Sequence, residues 1–138
     1  ETAQFGLPEV KRGILAAAGG AFRLVQQLPA KIAMEYLLTG EPFSAERAAE
    51  LGLVNKVVPA ERLLDEAFAL AARVAVNAPL SVQASKRIAL GIIDGKRPDE
   101  DRFWALNASE RRQVMQSADA REGPRAFAEK RAPVWKAQ

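Results

Sequence analysis

Apolar positions recur along this chain with a helical period almost throughout. From Ala60, the residues Leu63, Leu64, Ala67, Phe68, Ala71, Val74 and Ala75 fall three and four apart until Asn77-Ala78-Pro79 interrupts them, which predicts a helix. Ala33/Leu37 and Met34/Leu38 repeat the spacing within Ala30 to Thr39, and Gly40 and Pro42 stop it. Ala21 to Leu28 reads as a short helix halted by Pro29. Ser44 caps another, with Glu46 in its first turn and Gly52 at its end. Leu80 to Ile93 and residues 99 to 117 add two more, the second with Phe103, Leu106, Val114 and Met115 as candidate core contacts. Gly123-Pro124 opens a last short helix that stops before Pro133, proline being suited to a first helical position.

Strand signals are few. Leu53-Val54-Asn55-Lys56-Val57-Val58 is the best of them, rich in β-branched residues and closed by Pro59. Thr2 to Pro8 reads as a short strand running into a turn punctuated by Gly6 and Pro8. One or two strands do not make a stable sheet. Their partners are expected upstream or on another chain, as is suggested by a start without an initiator Met.

Composition narrows the chemistry. The 138 residues, 49% hydrophobic and 27% charged, suit one soluble domain at most. Twenty Lys+Arg against seventeen Asp+Glu give a net charge of +3 with the signs interspersed. That distribution argues against a nucleic-acid partner, for which a pI of about 9.5 is the sole hint. With no cysteine and no histidine, thiol nucleophiles, Ser-His-Asp and Cys-His mechanisms and the usual zinc sites are excluded, and no metal is expected. Carboxylates, hydroxyls, lysines and backbone N–H groups remain. No apolar run reaches the ~20 residues of a membrane helix, and the opening Glu1-Thr2-Ala3-Gln4 lacks the basic and apolar regions of a signal peptide. The expectation is a cytoplasmic protein with no membrane partner.

Glu9 is the carboxylate of interest, because it follows a Gly-Leu-Pro turn between apolar and glycine-rich segments instead of lying on a charged helical face. In the right geometry such a group serves as a general acid or base, worth about 10²–10⁴ in rate. Composition and spacing alone favour a plainer role, a loop glutamate capping the following turn. Glu110, Arg111 and Arg112 read as a solvated helix face, and Trp104 and Trp135 as packing or interface residues. No glycine-rich phosphate loop occurs.

Three ordered blocks carry a resemblance to a known family. Ala3-Gln4-Phe5-Gly6-Leu7-Pro8-Glu9, with Gly13, Ala18-Gly19-Gly20 and Arg23-Leu24, resembles the stretch in which enoyl-CoA hydratases/isomerases (crotonases) carry a catalytic glutamate before a glycine-rich turn. Leu38-Thr39-Gly40-Glu41-Pro42-Phe43-Ser44-Ala45 and the run from Ala48 to Val58 are similar to a second family block. Glu122-Gly123 with Ala126 to Pro133 resembles the C-terminal one.

The resemblance implies an α/β protein, the C-terminal part of the crotonase (ClpP/crotonase-like spiral) fold, mostly helical with one or two strands. Residues 1–58 would end the spiral core and carry the Glu9 loop, and residues 59–138 would form a helical trimerisation region. It implies hydration of 2-enoyl-CoA to 3-hydroxyacyl-CoA in fatty acid metabolism, with Glu9 catalytic and with no cofactor beyond the CoA thioester substrate. The backbone N–H of Ala17 would help to hold the attacking water, although Ala16-Ala17 stands where hydratases usually have Pro-Gly. Phe127 and Lys130 would lie near the CoA adenine and phosphates. The second glutamate and the oxyanion hole belong to family segments upstream of Glu1, so the N-terminal half of the fold is expected to be missing from this chain. The expected partners are acyl-CoA and further copies in a homotrimer or dimer of trimers. The alternatives are an enoyl-CoA double-bond isomerase, which would also use Glu9, and a non-catalytic helical assembly fragment.

Overall fold

The computed structural model describes residues 1–138, and its one sheet has two short strands. Strand β1 (Gln4–Phe5) pairs antiparallel with β2 (Phe43–Ser44), Gln4 opposite Ser44 and Phe5 opposite Phe43. Their aromatic rings stack at 5.8 Å, and Tyr36 packs on Phe43 at 4.3 Å. Between the strands lie a 3₁₀ turn (Pro8–Arg12), α1 (Gly20–Gln27) and α2 (Ala30–Thr39). Leu28, Ala33, Phe43 and Ala48 form the buried core, with Leu24, Val25 and Leu53 against it. Gly40 ends α2 in the left-handed conformation at φ 64°, which a side chain would strain.

Helix α3 (Ala45–Glu50) starts as its sequence requires, the Ser44 hydroxyl accepting the Arg47 N–H at 3.2 Å. The segment after it does not form the strand expected over Leu53 to Val58. The N–H groups of Leu53 and Val54 both turn back to the Ala48 carbonyl, and the residues beyond run irregularly. β-propensity describes fit to a pleated surface alongside a partner, and no strand of this chain lies beside it.

Helices α4 (Leu63–Ala75) and α5 (Pro79–Leu90) match the expected periods and project away from the core with a 106° bend between them. Their apolar faces stay exposed: Phe68 is 70% and Ile88 82% accessible. No single helix is long and apolar enough to cross a membrane.

Helix α6 (Asp101–Gln116) returns to the core, and α7 (Ala118–Ala128) packs on both α6 and the Pro8–Arg12 turn. Of the core contacts expected on α6, Phe103 and Val114 are half-buried, whereas Leu106 and Met115 are exposed. Helix α7 begins five residues before the predicted start. Ser117 is its cap, accepting the Ala120 N–H at 3.0 Å, and Pro124 lies inside the helix rather than at its first position. A proline there deprives the Ala120 carbonyl of its helical donor, and the cap together with the packing of α7 carries the helix through it.

Candidate active site

Pro8 sets the backbone for the 3₁₀ turn and Gly13 closes it at φ 67°, with the Ile14 N–H donating to the Glu9 carbonyl at 3.2 Å. The turn presents the Glu9 side chain half-buried, its Oε2 enclosed and without a hydrogen-bond partner. Enclosed polar atoms are nearly always paired, and the exceptions concentrate at working sites. The plainer role of a capping glutamate does not match this side chain, since nothing in the turn donates to that oxygen.

The turn is gripped from several sides. A methyl on Gly123 of α7 would sit 1.9 Å from the Arg12 carbonyl oxygen, and one on Gly13 would sit 2.2 Å from the Asp119 carbonyl oxygen. Only glycine allows backbones to approach so closely. Lys11 pairs with Glu41 at 2.5 Å, and the Arg12 guanidinium lies 3.7 Å over the Phe127 ring, a cation–π contact. A hollow of about 500 Å³ lies between this turn, α6 and the last residues of the chain, lined by Val10, Ile14, Gln113 and Trp135 among others.

The Leu15–Gly19 loop is held by α6. The residue before that helix and its first two turns meet α1 and the loop in reverse order. Glu100, 4% exposed, accepts Arg23 Nη2 at 2.8 Å; Trp104 fills the space beside Gly19; and Asn107 Nδ2 donates to the Ala17 carbonyl at 2.8 Å. Arg97 Nη1 also lies 2.5 Å from Glu100 Oε1, in ionic contact but without hydrogen-bond alignment. The Arg23 hydrogen bond, outweighing burial, holds the Glu100 carboxyl below the usual carboxylate range. The Ala17 N–H donates to the Leu15 carbonyl at 2.7 Å, closing a three-residue turn. Trp104 also meets Phe22 edge to face at 5.0 Å, so it is a packing residue, as its sequence context implies.

Phe127 is 60% exposed near the end of α7, and Lys130 is an exposed residue two positions beyond the helix at φ 53°, its N–H donating to the Phe127 carbonyl at 3.2 Å. Arg12 thus joins Phe127 to the turn that carries Glu9. Behind Lys130, Arg131 forms a two-pronged pair with Glu122, whose Oε1 also accepts the Val134 N–H at 2.9 Å. These bonds, Arg131 first, pull the Glu122 carboxyl down to about 2. Asp119 accepts the N–H groups of Lys136 and Ala137 at 2.7 and 3.0 Å, which straps the last residues onto α7. Arg12 and Asn107 carry no sequence signal that distinguishes them from ordinary surface or helix residues, and the signals at Gly123 point to a helix start and a family block but not to its packing on Arg12; these roles come from contacts across 90 or more positions.

The arrangement pairs an enclosed carboxylate with a tightly held backbone loop, which suits proton transfer to a bound substrate. The sequence matches the family described as enoyl-CoA hydratase/isomerase over residues 1–138. It is 42% identical over 139 residues to a carnitinyl-CoA dehydratase of Salmonella typhi, covering 99% of this chain and 52% of that protein. Among solved structures, a carnitinyl-CoA dehydratase from Mycobacterium avium 104 superposes with a TM-score of 0.96 at 60% identity, covering 99% of this chain and 53% of the other. An enoyl-CoA hydratase from Mycobacterium tuberculosis H37Rv gives 0.62 at 43% identity, with 99% and 53% covered. The chain therefore spans about half the length of the relatives it matches, and corresponds to their C-terminal part. Its helices, its two-strand sheet and its full-length family match agree: the chain belongs to the enoyl-CoA hydratase/isomerase family and has the C-terminal, mostly helical portion of the crotonase fold.

Proposed function

We propose that this chain contributes Glu9 to an acyl-CoA hydratase site that adds water across the C2–C3 double bond of a 2-enoyl-CoA and runs the reverse dehydration of a 3-hydroxyacyl-CoA. Hydration breaks a water O–H bond, forms C3–O and C2–H bonds, and needs a group that moves a proton between water and C2. The observation that carries this reading is Glu9 Oε2, enclosed and unpaired on a turn that α7 and Gly13 hold rigidly. The second glutamate and the oxyanion donors would come from the remaining half of the whole protein, the latter stabilising the thioester enolate.

The Ala17 N–H would support the water once its bond to the Leu15 carbonyl is exchanged for one to the water oxygen. Phe127 and Lys130 would receive the CoA adenine and phosphates, with Arg12 behind the ring adding positive charge. The exposed faces of α4 and α5 would be covered in a trimer or dimer of trimers and by the remaining half of the fold.

The Salmonella typhi and Mycobacterium avium relatives bear the name carnitinyl-CoA dehydratase, so carnitinyl-CoA is the substrate to try beside crotonyl-CoA. The test is the change in enoyl absorbance with each thioester, using the whole protein and its Glu9→Gln variant. A fall of about 10²-fold or more in kcat is expected for Glu9→Gln. Undiminished turnover in that variant would remove Glu9 from the chemistry and the reading with it.

A further inference from the structure

Asn107 is an unusual residue for the middle of a helix. Its Nδ2 reaches across 90 positions to the Ala17 carbonyl at 2.8 Å, while its Oδ1 is enclosed with no partner. The amide cannot be turned to satisfy that oxygen, because the flip would set Oδ1 against the Ala17 carbonyl oxygen. Packing alone is better served at such a position by an apolar side chain, which leaves no acceptor unpaired. The cost is tied to one carbonyl, that of Ala17.

Ala17 is held at both ends, its N–H by the Leu15 carbonyl at 2.7 Å and its carbonyl by Asn107. Trp104, one turn earlier on α6, lies against Gly19, so the helix fixes the loop at two residues on either side of Ala18. With the peptide that follows it anchored on α6 and Gly19 packed against Trp104, the residue that bears the N–H is held in place when the Leu15 bond is exchanged.

From this geometry we infer that Asn107 is a positioning residue for the hydration step, acting through Ala17. The inference rests on the function proposed above and extends it to a residue far from Glu9 in sequence.

The experiment uses the whole protein with Asn107→Asp, which keeps the volume but loses the donor, and Asn107→Ala, which removes both amide atoms. Steady-state hydration of crotonyl-CoA is measured per folded protein, with thermal melts alongside and Glu9→Gln as reference. The expected result for Asn107→Asp is a fall in kcat of about 10- to 100-fold with KM within about two-fold, since a misplaced donor affects the transition state more than CoA binding. Asn107→Ala should show the same split. Should both variants keep the parent kcat per folded molecule, whatever their melting temperatures, Asn107 is scaffold and the inference fails alone. Should Glu9→Gln retain activity, the proposed function fails and takes this inference with it.

Discussion

Replacing Gly123 by alanine sets two effects of opposite sign against each other. Within a helix interior, alanine over glycine stabilises by about 0.8–1 kcal/mol. Here the added methyl would lie 1.9 Å from the Arg12 carbonyl oxygen and 2.2 Å from its carbon, where real contacts stop near 3.0 Å. The obstacle is backbone, so α7 or the Pro8–Arg12 turn has to move by about 1 Å, and overpacking of this kind costs about 1–3 kcal/mol. The net expectation is a loss of up to about 2 kcal/mol instead of a gain. Arg12 is three residues from Glu9 within one rigid turn, so the displacement reaches the carboxylate, and a shift of that size costs about 10²-fold in rate. Urea denaturation and crotonyl-CoA hydration of the whole protein measure the two consequences. Gly52→Ala is the control, since Gly52 sits at φ 77° with no neighbour within 4 Å; it should lose stability through backbone strain and keep its kcat. A Gly123→Ala protein as stable and as active as its parent would refute the close packing of α7 on the turn.

Other expectations concern the end of the chain. Glu122 is held near 2 in the folded state against an ordinary value of 4.5, so its pairing contributes fully above about pH 4.5 and is lost as pH falls toward 2. Denaturant midpoints of the parent and Glu122→Gln should differ most at pH 6–7, the difference shrinking below about pH 4.5 and closing as pH falls through about 2; a constant difference would contradict the assignment. Lys130→Ala should raise KM for acyl-CoA by up to about five-fold with kcat unchanged, as expected for an exposed charge that binds ground and transition states alike. An unchanged KM would leave Lys130 a solvated lysine.

Most helices of this protein are legible because each is written in a few neighbouring residues. The four-residue spacing in Ala30–Thr39, its Gly40 stop, and Ser44 as the cap of α3 all appear as read, since period and cap are local properties. Leu53 to Val58 failed because a strand is half of a pair, and this one has no partner within the chain. Helix α7 starts ahead of the predicted position because the Ser117 cap and the packing of Gly123 on Arg12 override the hydrogen bond lost at Pro124.

The same division runs through the site. Glu9 stands out in sequence by its Gly-Leu-Pro context and by the family blocks around it, which specify the residue and its turn but not its surroundings. That its Oε2 is enclosed and unpaired, that Arg12 lies on Phe127, and that α6 reaches back to hold Ala17 and Arg23 were decided by tertiary structure. Those contacts join positions up to 115 apart, and no local pattern encodes which carbonyl a distant asparagine will meet. The exposed apolar faces of α4 and α5 mark the same boundary: their periodicity identifies a face to be covered, but the covering surface is a matter of how folded parts come together.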